Sequence, residues 1–188
     1  MSNTKQRAIH HTASIASGKN QLAAVNQYHK DKWGMKSTLG WYVGYNYFID
    51  VNGSITNTRK VGEETIANVG HNCDVEERCD TISICLAGDF NTQLPNDKQI
   101  KALRRLLGEL DVLYPGSVDT FHRDIQANRT CPGKKFTRRY LESVILEKKV
   151  VGDEADTKKS EEIEKIKVTL MMTIITLLRQ LRAKLKKQ

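Results

Sequence analysis

DTISICLAGDF, residues Asp80 to Phe90, is the stretch on which the fold turns. From Thr81 to Ala87 it is a nearly continuous apolar run of strand length, which suits a strand buried on both faces at the centre of a sheet. The flanking stretches supply what pairs with it and covers it. Gly44 to Val51, within GWYVGYNYFIDVNGSI, alternates and is rich in aromatics, as half-buried strands are. Asn52-Gly53 is a hairpin signal, so Ser54 to Arg59 is expected to pair back. After the central run, Pro95-Asn96-Asp97 starts a helix with Ile100, Leu103, Leu106, Leu107 and Leu110 at helical spacing, and Tyr114-Pro115-Gly116 ends it. Further out, Lys5 to Ile9 reads as a strand that leads to His10. Gly18 to Trp33 reads as a helix with Leu22, Val25 and Tyr28 facing inward, and Phe136 to Leu146 as another helix. Strands interleaved with helices predict an α/β fold, a single domain with a central mixed β-sheet flanked by helices. The hairpin argues against a purely parallel sheet.

The chain has 188 residues, enough for one domain with a real core and an appendage. Residues 1–149 form the expected domain. Val150 to Ser160 is polar and reads as a linker. Glu161 to Gln188 reads as a C-terminal amphipathic, cationic helix. In it Ile163, Ile166, Leu170 and Ile174 recur eleven residues on as Ile174, Leu177, Leu181 and Leu185. Such a repeat gives a nearly straight stripe or a right-handed supercoil. Its uncharged run, Val168 to Leu178, is too short for a bilayer, which needs about 20 residues. Self-association or contact with an anionic membrane is expected of it, with docking onto the domain as the plainer alternative.

The formal net charge of +8 points to an anionic partner: nucleic acid, an anionic envelope or an acidic substrate. No RNA- or DNA-reading motif accompanies the charge, so no nucleic-acid partner is expected. The N-terminus lacks the apolar stretch of a signal peptide, which predicts a protein that stays in the cytoplasm until something releases it. Four cysteines are an even number, but their spacing is not that of a dense disulfide scaffold. Cys85 reads as a core thiol. Cys73 and Cys79 read as free thiols, with pairing or a second metal as alternatives.

Two further stretches carry chemistry. FHRDIQANRTCPG, Phe121 to Gly133, reads as a loop with His122 and Cys131 nine positions apart, and AIHHTAS ends a strand at His10 and His11. Imidazole and thiolate are preferred ligands of Zn²⁺, and three protein ligands with an open fourth position make a catalytic site. The pair His122 and Cys131 alone is a weak signal. In sequence order with GWYVGYNYFIDVNGSI and DTISICLAGDF, these blocks resemble the zinc-dependent N-acetylmuramoyl-L-alanine amidases, a family that includes the bacteriophage lysozyme-type amidases and the peptidoglycan recognition proteins. The resemblance runs from Arg7 to Tyr140.

It implies a peptidoglycan hydrolase that cuts the amide between N-acetylmuramic acid and L-alanine, with Zn²⁺ on His10, His122 and Cys131. His11 points to the other face if adjacent strand residues alternate. Tyr45 matches a tyrosine facing the metal. Arg129 stands where the phage-type enzymes carry a lysine. A guanidinium still stabilises an oxyanion but does not readily move a proton. Cys85 stands where the amidases that recycle wall fragments carry a glutamate, and Cys131 where those carry an aspartate. Both departures point to the phage type, hence to a phage endolysin kept in the host cytoplasm that acts on the cell wall after release. In IANVGHN a histidine often follows the alanine, and here that position is Asn68. His71 and Asn72 are the candidates for touching substrate. The rival expectation is a peptidoglycan-recognition module that binds without cutting. Its members lack the ligand cysteine, so the presence of Cys131 favours catalysis.

Overall fold

A computed structural model of the chain describes residues 6–14, 19–68, 81–126 and 129–144. His71, Asn72, Cys73, Cys79, the expected linker and the expected C-terminal helix lie outside the described residues. The central run forms β4 (Thr81–Leu86), and every one of its residues is buried. It pairs in parallel with β1 (Gln6–His11) on one side and with β2 (Tyr47–Ile49) on the other. Beyond β2 lies β3 (Ile55–Asn57), antiparallel, and beyond β1 lies β5 (Val118–Phe121), parallel. The sheet order is β3-β2-β4-β1-β5. It is the mixed sheet expected, and its one antiparallel pair is the Asn52-Gly53 hairpin. At that turn Gly53 has φ 82°, and a Cβ there would lie 2.8 Å from the Lys98 carbonyl oxygen, so only glycine fits.

Helix α1 (Leu22–Trp33) and helix α2 (Asp97–Leu113) are started by different devices. In α2 the Asn96 side chain accepts from Gln99 N at 3.0 Å, while Gln99 Oε1 accepts from Asn96 N at 3.2 Å. Gln99 Nε2 also donates to Ala87 O at 2.7 Å, which ties the helix start to the end of β4. Ile100, Leu103, Leu106, Leu107 and Leu110 are all buried, as the spacing predicts. In α1 the residue before the helix offers no side-chain cap. The buried carboxylate of Asp50 does the work instead, accepting from Gln21 N at 2.8 Å and from Leu22 N at 3.0 Å.

Four expectations are corrected. Tyr28 is 55% exposed, and His29 is the buried residue of α1. Tyr28 packs instead against the exposed Trp33 with ring centroids 5.9 Å apart. The strand expected over Gly44 to Val51 is ladder-paired only from Tyr47 to Ile49. Before it the backbone bends, and the Asn46 side chain does a strand's pairing, accepting from Ser83 N at 2.8 Å and donating to Lys60 O at 2.9 Å. The stretch from Phe121 is not all loop, since Phe121 closes β5 and His122–Ile125 forms the short helix α3. Finally, the helix expected over Phe136 to Leu146 is helical at residues 138–144 among those described, with Phe136 itself ahead of the helix and fully buried. No helix among the described residues is long and apolar enough to cross a membrane.

Candidate metal centre

β1 and β5 are parallel neighbours in which Ile9 is paired with Phe121. The next residue on each strand is a histidine, so His10 and His122 leave the sheet side by side, at the carboxyl ends where open α/β sheets place their sites. Their ring centroids are 4.7 Å apart. The chain then returns through Cys131. Arg123 fastens this return, its N–H donating to Cys131 O at 3.0 Å and its guanidinium to Gly133 O at 2.9 Å and Phe136 O at 2.7 Å. One ligand-capable atom from each of His10, His122 and Cys131 lies within 4.8 Å of the others. Cys131 Sγ is 3.8 Å from His10 Nδ1. Tetrahedral Zn²⁺ holds nitrogen at about 2.0 Å and sulfur at about 2.3 Å, which puts those two ligands about 3.5 Å apart. The donor set and its spacing fit such an ion.

His11 turns the other way. Its Nδ1 accepts from Phe90 N at 3.1 Å and lies 3.8 Å from Asp89. Its role is to hold the turn after β4. Tyr45 projects from the bend before β2, its ring centroid 5.3 Å from that of His10. Arg129 donates through Nε to Gln126 Oε1 at 3.0 Å, and the same oxygen pairs with His122 Nε2 at 3.1 Å. Arginine only donates, so the shared atom is a carbonyl oxygen and His122 Nε2 carries its proton. The lone pair of the neutral ring is then on Nδ1. His10, Tyr45, His122, Arg129 and Cys131 line one cavity of about 400 Å³. A second cavity of about 560 Å³ lies along α1, and His29 and Tyr45 border both.

Residues 3–134 match the family model described as N-acetylmuramoyl-L-alanine amidase. The chain belongs to that family. It is 28% identical over 149 residues to an endolysin of Klebsiella phage KP32, a match covering 76% of this chain and 89% of that protein. Its fold is similar to that of the endolysin amidase LysCS from Clostridium intestinale, with TM-score 0.57 and 22% identity over 75% of this chain and 82% of that one. It is also similar to Drosophila peptidoglycan recognition protein SD, with TM-score 0.58 and 19% identity over 71% and 76% of the two chains.

The electrostatics of this amidase suit metal binding. Burial pushes the Cys131 thiol up to about 11, against the opposing pull of the His11 backbone N–H and of Arg123 and Arg129. A thiol so placed stays protonated toward solvent and is deprotonated by coordination. Burial lowers the pKa of His122, which keeps its ring neutral, the state that ligates. The Tyr45 hydroxyl is raised well above its ordinary value by burial and by Cys85 and Cys131, so it remains a donor across the working pH range. Cys85 is a buried free thiol, as expected. Sequence reading overlooked His29 and Gln126. A glutamine four residues after a candidate ligand signals nothing until α3 puts one turn between them.

Proposed function

We propose that this amidase cuts the bond between N-acetylmuramic acid and L-alanine with one Zn²⁺ held by His10, His122 and Cys131, and that it serves a phage as an endolysin. The observation that carries the reading is the gathering of those three candidate ligand atoms in the lining of a cavity that Tyr45 and Arg129 also line, in a chain of this family. When bound there, zinc polarises a carbonyl and lowers the pKa of water. Tyr45, protonated and beside the cluster, donates a hydrogen bond to the oxygen that gains charge as the amide is attacked. Arg129 faces the same space and stabilises that charge by electrostatics. It takes no part in moving protons, because its pKa is too high. Gln126 fixes the ring of His122 and the side chain of Arg129 through one oxygen. The likeness to an endolysin of Klebsiella phage KP32 supports action on the bacterial wall after release inside the host.

Purified protein added to purified peptidoglycan tests this directly. Turbidity should fall while new L-alanine amino termini appear, chelation should stop both, and added zinc should restore them. Binding to the wall without new amino termini would replace the hydrolase with a recognition module.

A further inference from the structure

His29 lies on α1, away from the metal cluster, yet it is one of the few buried polar groups that face the site's walls. Its Nδ1 accepts a hydrogen bond from Gly44 N at 2.9 Å, in the interior. Gly44 immediately precedes Tyr45, and the backbone there is clamped. The Gly44 carbonyl accepts from Ala67 N at 3.1 Å, and the Tyr45 carbonyl accepts from Thr58 Oγ1 at 2.7 Å. A Cβ on Gly44 would lie 2.7 Å from Ile66 Cβ, so the backbone is pressed against the turn Ile66–Asn68 on one side. On the other side it meets α1, through His29.

The imidazole is itself fixed. The Trp33 ring, one helical turn along, stands edge-on to it at 4.8 Å, and the Tyr45 ring lies 5.7 Å away. With Nδ1 accepting, the neutral ring carries its proton on Nε2. Because α1 is capped by Asp50, the residue that follows β2, this helix is referenced to the same sheet that carries His10.

We propose that His29 is a positioning residue of the hydrolytic reaction: its Nδ1 fixes the Gly44 amide and thereby sets where Tyr45 stands relative to the cluster of His10, His122 and Cys131. The inference rests on the amidase reading above and extends it to a group that touches neither metal nor reacting atoms. Loss of the acceptor leaves the Gly44 N–H unpaired in the interior and frees the bend that aims Tyr45. Oriented contacts of this kind act on kcat, because small displacements of a transition-state donor are costly.

The test compares three variants of the full chain loaded with zinc. In His29→Asn, Oδ1 takes the place of Nδ1 as acceptor. In His29→Gln the longer side chain carries its oxygen past that position, and in His29→Leu there is no acceptor. Zinc content, kcat and KM on soluble muramyl-peptide fragments, and the 13C–1H ring resonances of labelled Tyr45 are read for each. The expected result is one zinc per chain throughout, kcat reduced about tenfold or more in His29→Leu and His29→Gln with KM little changed, and kcat largely retained in His29→Asn. The Tyr45 resonances should follow the same order. Equal kcat in His29→Asn and His29→Gln, or a loss confined to KM, would overturn the proposal. If His29→Leu does not fold, the Asn and Gln pair still decides. If the wild-type chain cleaves nothing, the amidase reading fails, and the Tyr45 resonances alone judge the positioning role.

Discussion

Cys131 Sγ stands 3.8 Å from His10 Nδ1 although the two residues are 121 positions apart in the chain. That separation is close to what two ligands of one tetrahedral zinc ion keep. About one Zn²⁺ per chain is therefore expected, and Cys131→Ser should lower the affinity strongly while leaving the sheet intact. Metal analysis after dialysis against a weak chelator measures this. Full zinc content and activity in His122→Ala would refute the assignment of the site.

Gln126 connects the proposed ligand His122 to Arg129 through a single oxygen. Gln126→Leu should weaken zinc binding about 10- to 100-fold, the usual consequence of removing the partner of a ligating histidine. The same variant should behave partly like Arg129→Ala, which keeps its metal but loses kcat. Tyr45→Phe should cost on the order of a hundredfold in kcat with zinc still bound, as removal of an oxyanion donor does. Arg129→Lys should keep or raise activity. A metal titration and a kcat measurement on each variant separate the two effects, and normal zinc affinity in Gln126→Leu would remove it from the site.

The sheet was legible because its signals are local. β4 is buried throughout and apolar at four of its six residues, since both its faces are covered, and Asn52-Gly53 announces the hairpin by turn chemistry alone. β5 left no such mark. Val-Asp-Thr-Phe is a four-residue edge strand whose first residue is exposed, and it is specified by pairing with β1 and by Arg7, which bonds Asp119 at 2.7 Å. His29 was passed over in favour of Tyr28 for a similar reason. Helical spacing ranks residues by hydrophobicity, whereas the inward position here is chosen by a hydrogen bond to Gly44. The candidate ligands His10, His122 and Cys131 could be proposed from a family resemblance, but their convergence depends on the register between Ile9 and Phe121.

Acid should destabilise the fold through His29. Burial, with Arg59 and Lys32 adding to it, lowers this histidine from 6.5 to about 4. The unfolded chain therefore binds a proton that the folded chain refuses between those values. The stabilising contribution is complete above pH 6.5 and is lost as pH falls toward about 4, at about 1.4 kcal/mol per pH unit. Denaturant titrations of metal-free protein from pH 7 to pH 5 should show this slope with a further contribution from His11, which burial lowers to about 4 as well. His29→Asn removes the titrating group and should flatten the curve by about that amount. An unchanged slope in the variant would mean that other groups control acid unfolding.

Ending the chain at Val151 should leave a folded enzyme that still cuts purified peptidoglycan, because the family match ends at residue 134. The removed segment, Glu161 to Gln188, combines a regular eleven-residue apolar repeat with a final stretch holding Arg179, Arg182, Lys184, Lys186 and Lys187 and no acid. The repeat suits association between chains, and the cationic end beside an apolar run suits an anionic lipid surface. Sedimentation and flotation with vesicles of anionic phospholipid tell these apart. A full-length oligomer that becomes a monomer on truncation supports association. A monomer in both forms that loses vesicle binding on truncation supports the membrane. A truncated chain that does not fold would reject both and assign the segment to the domain's own surface.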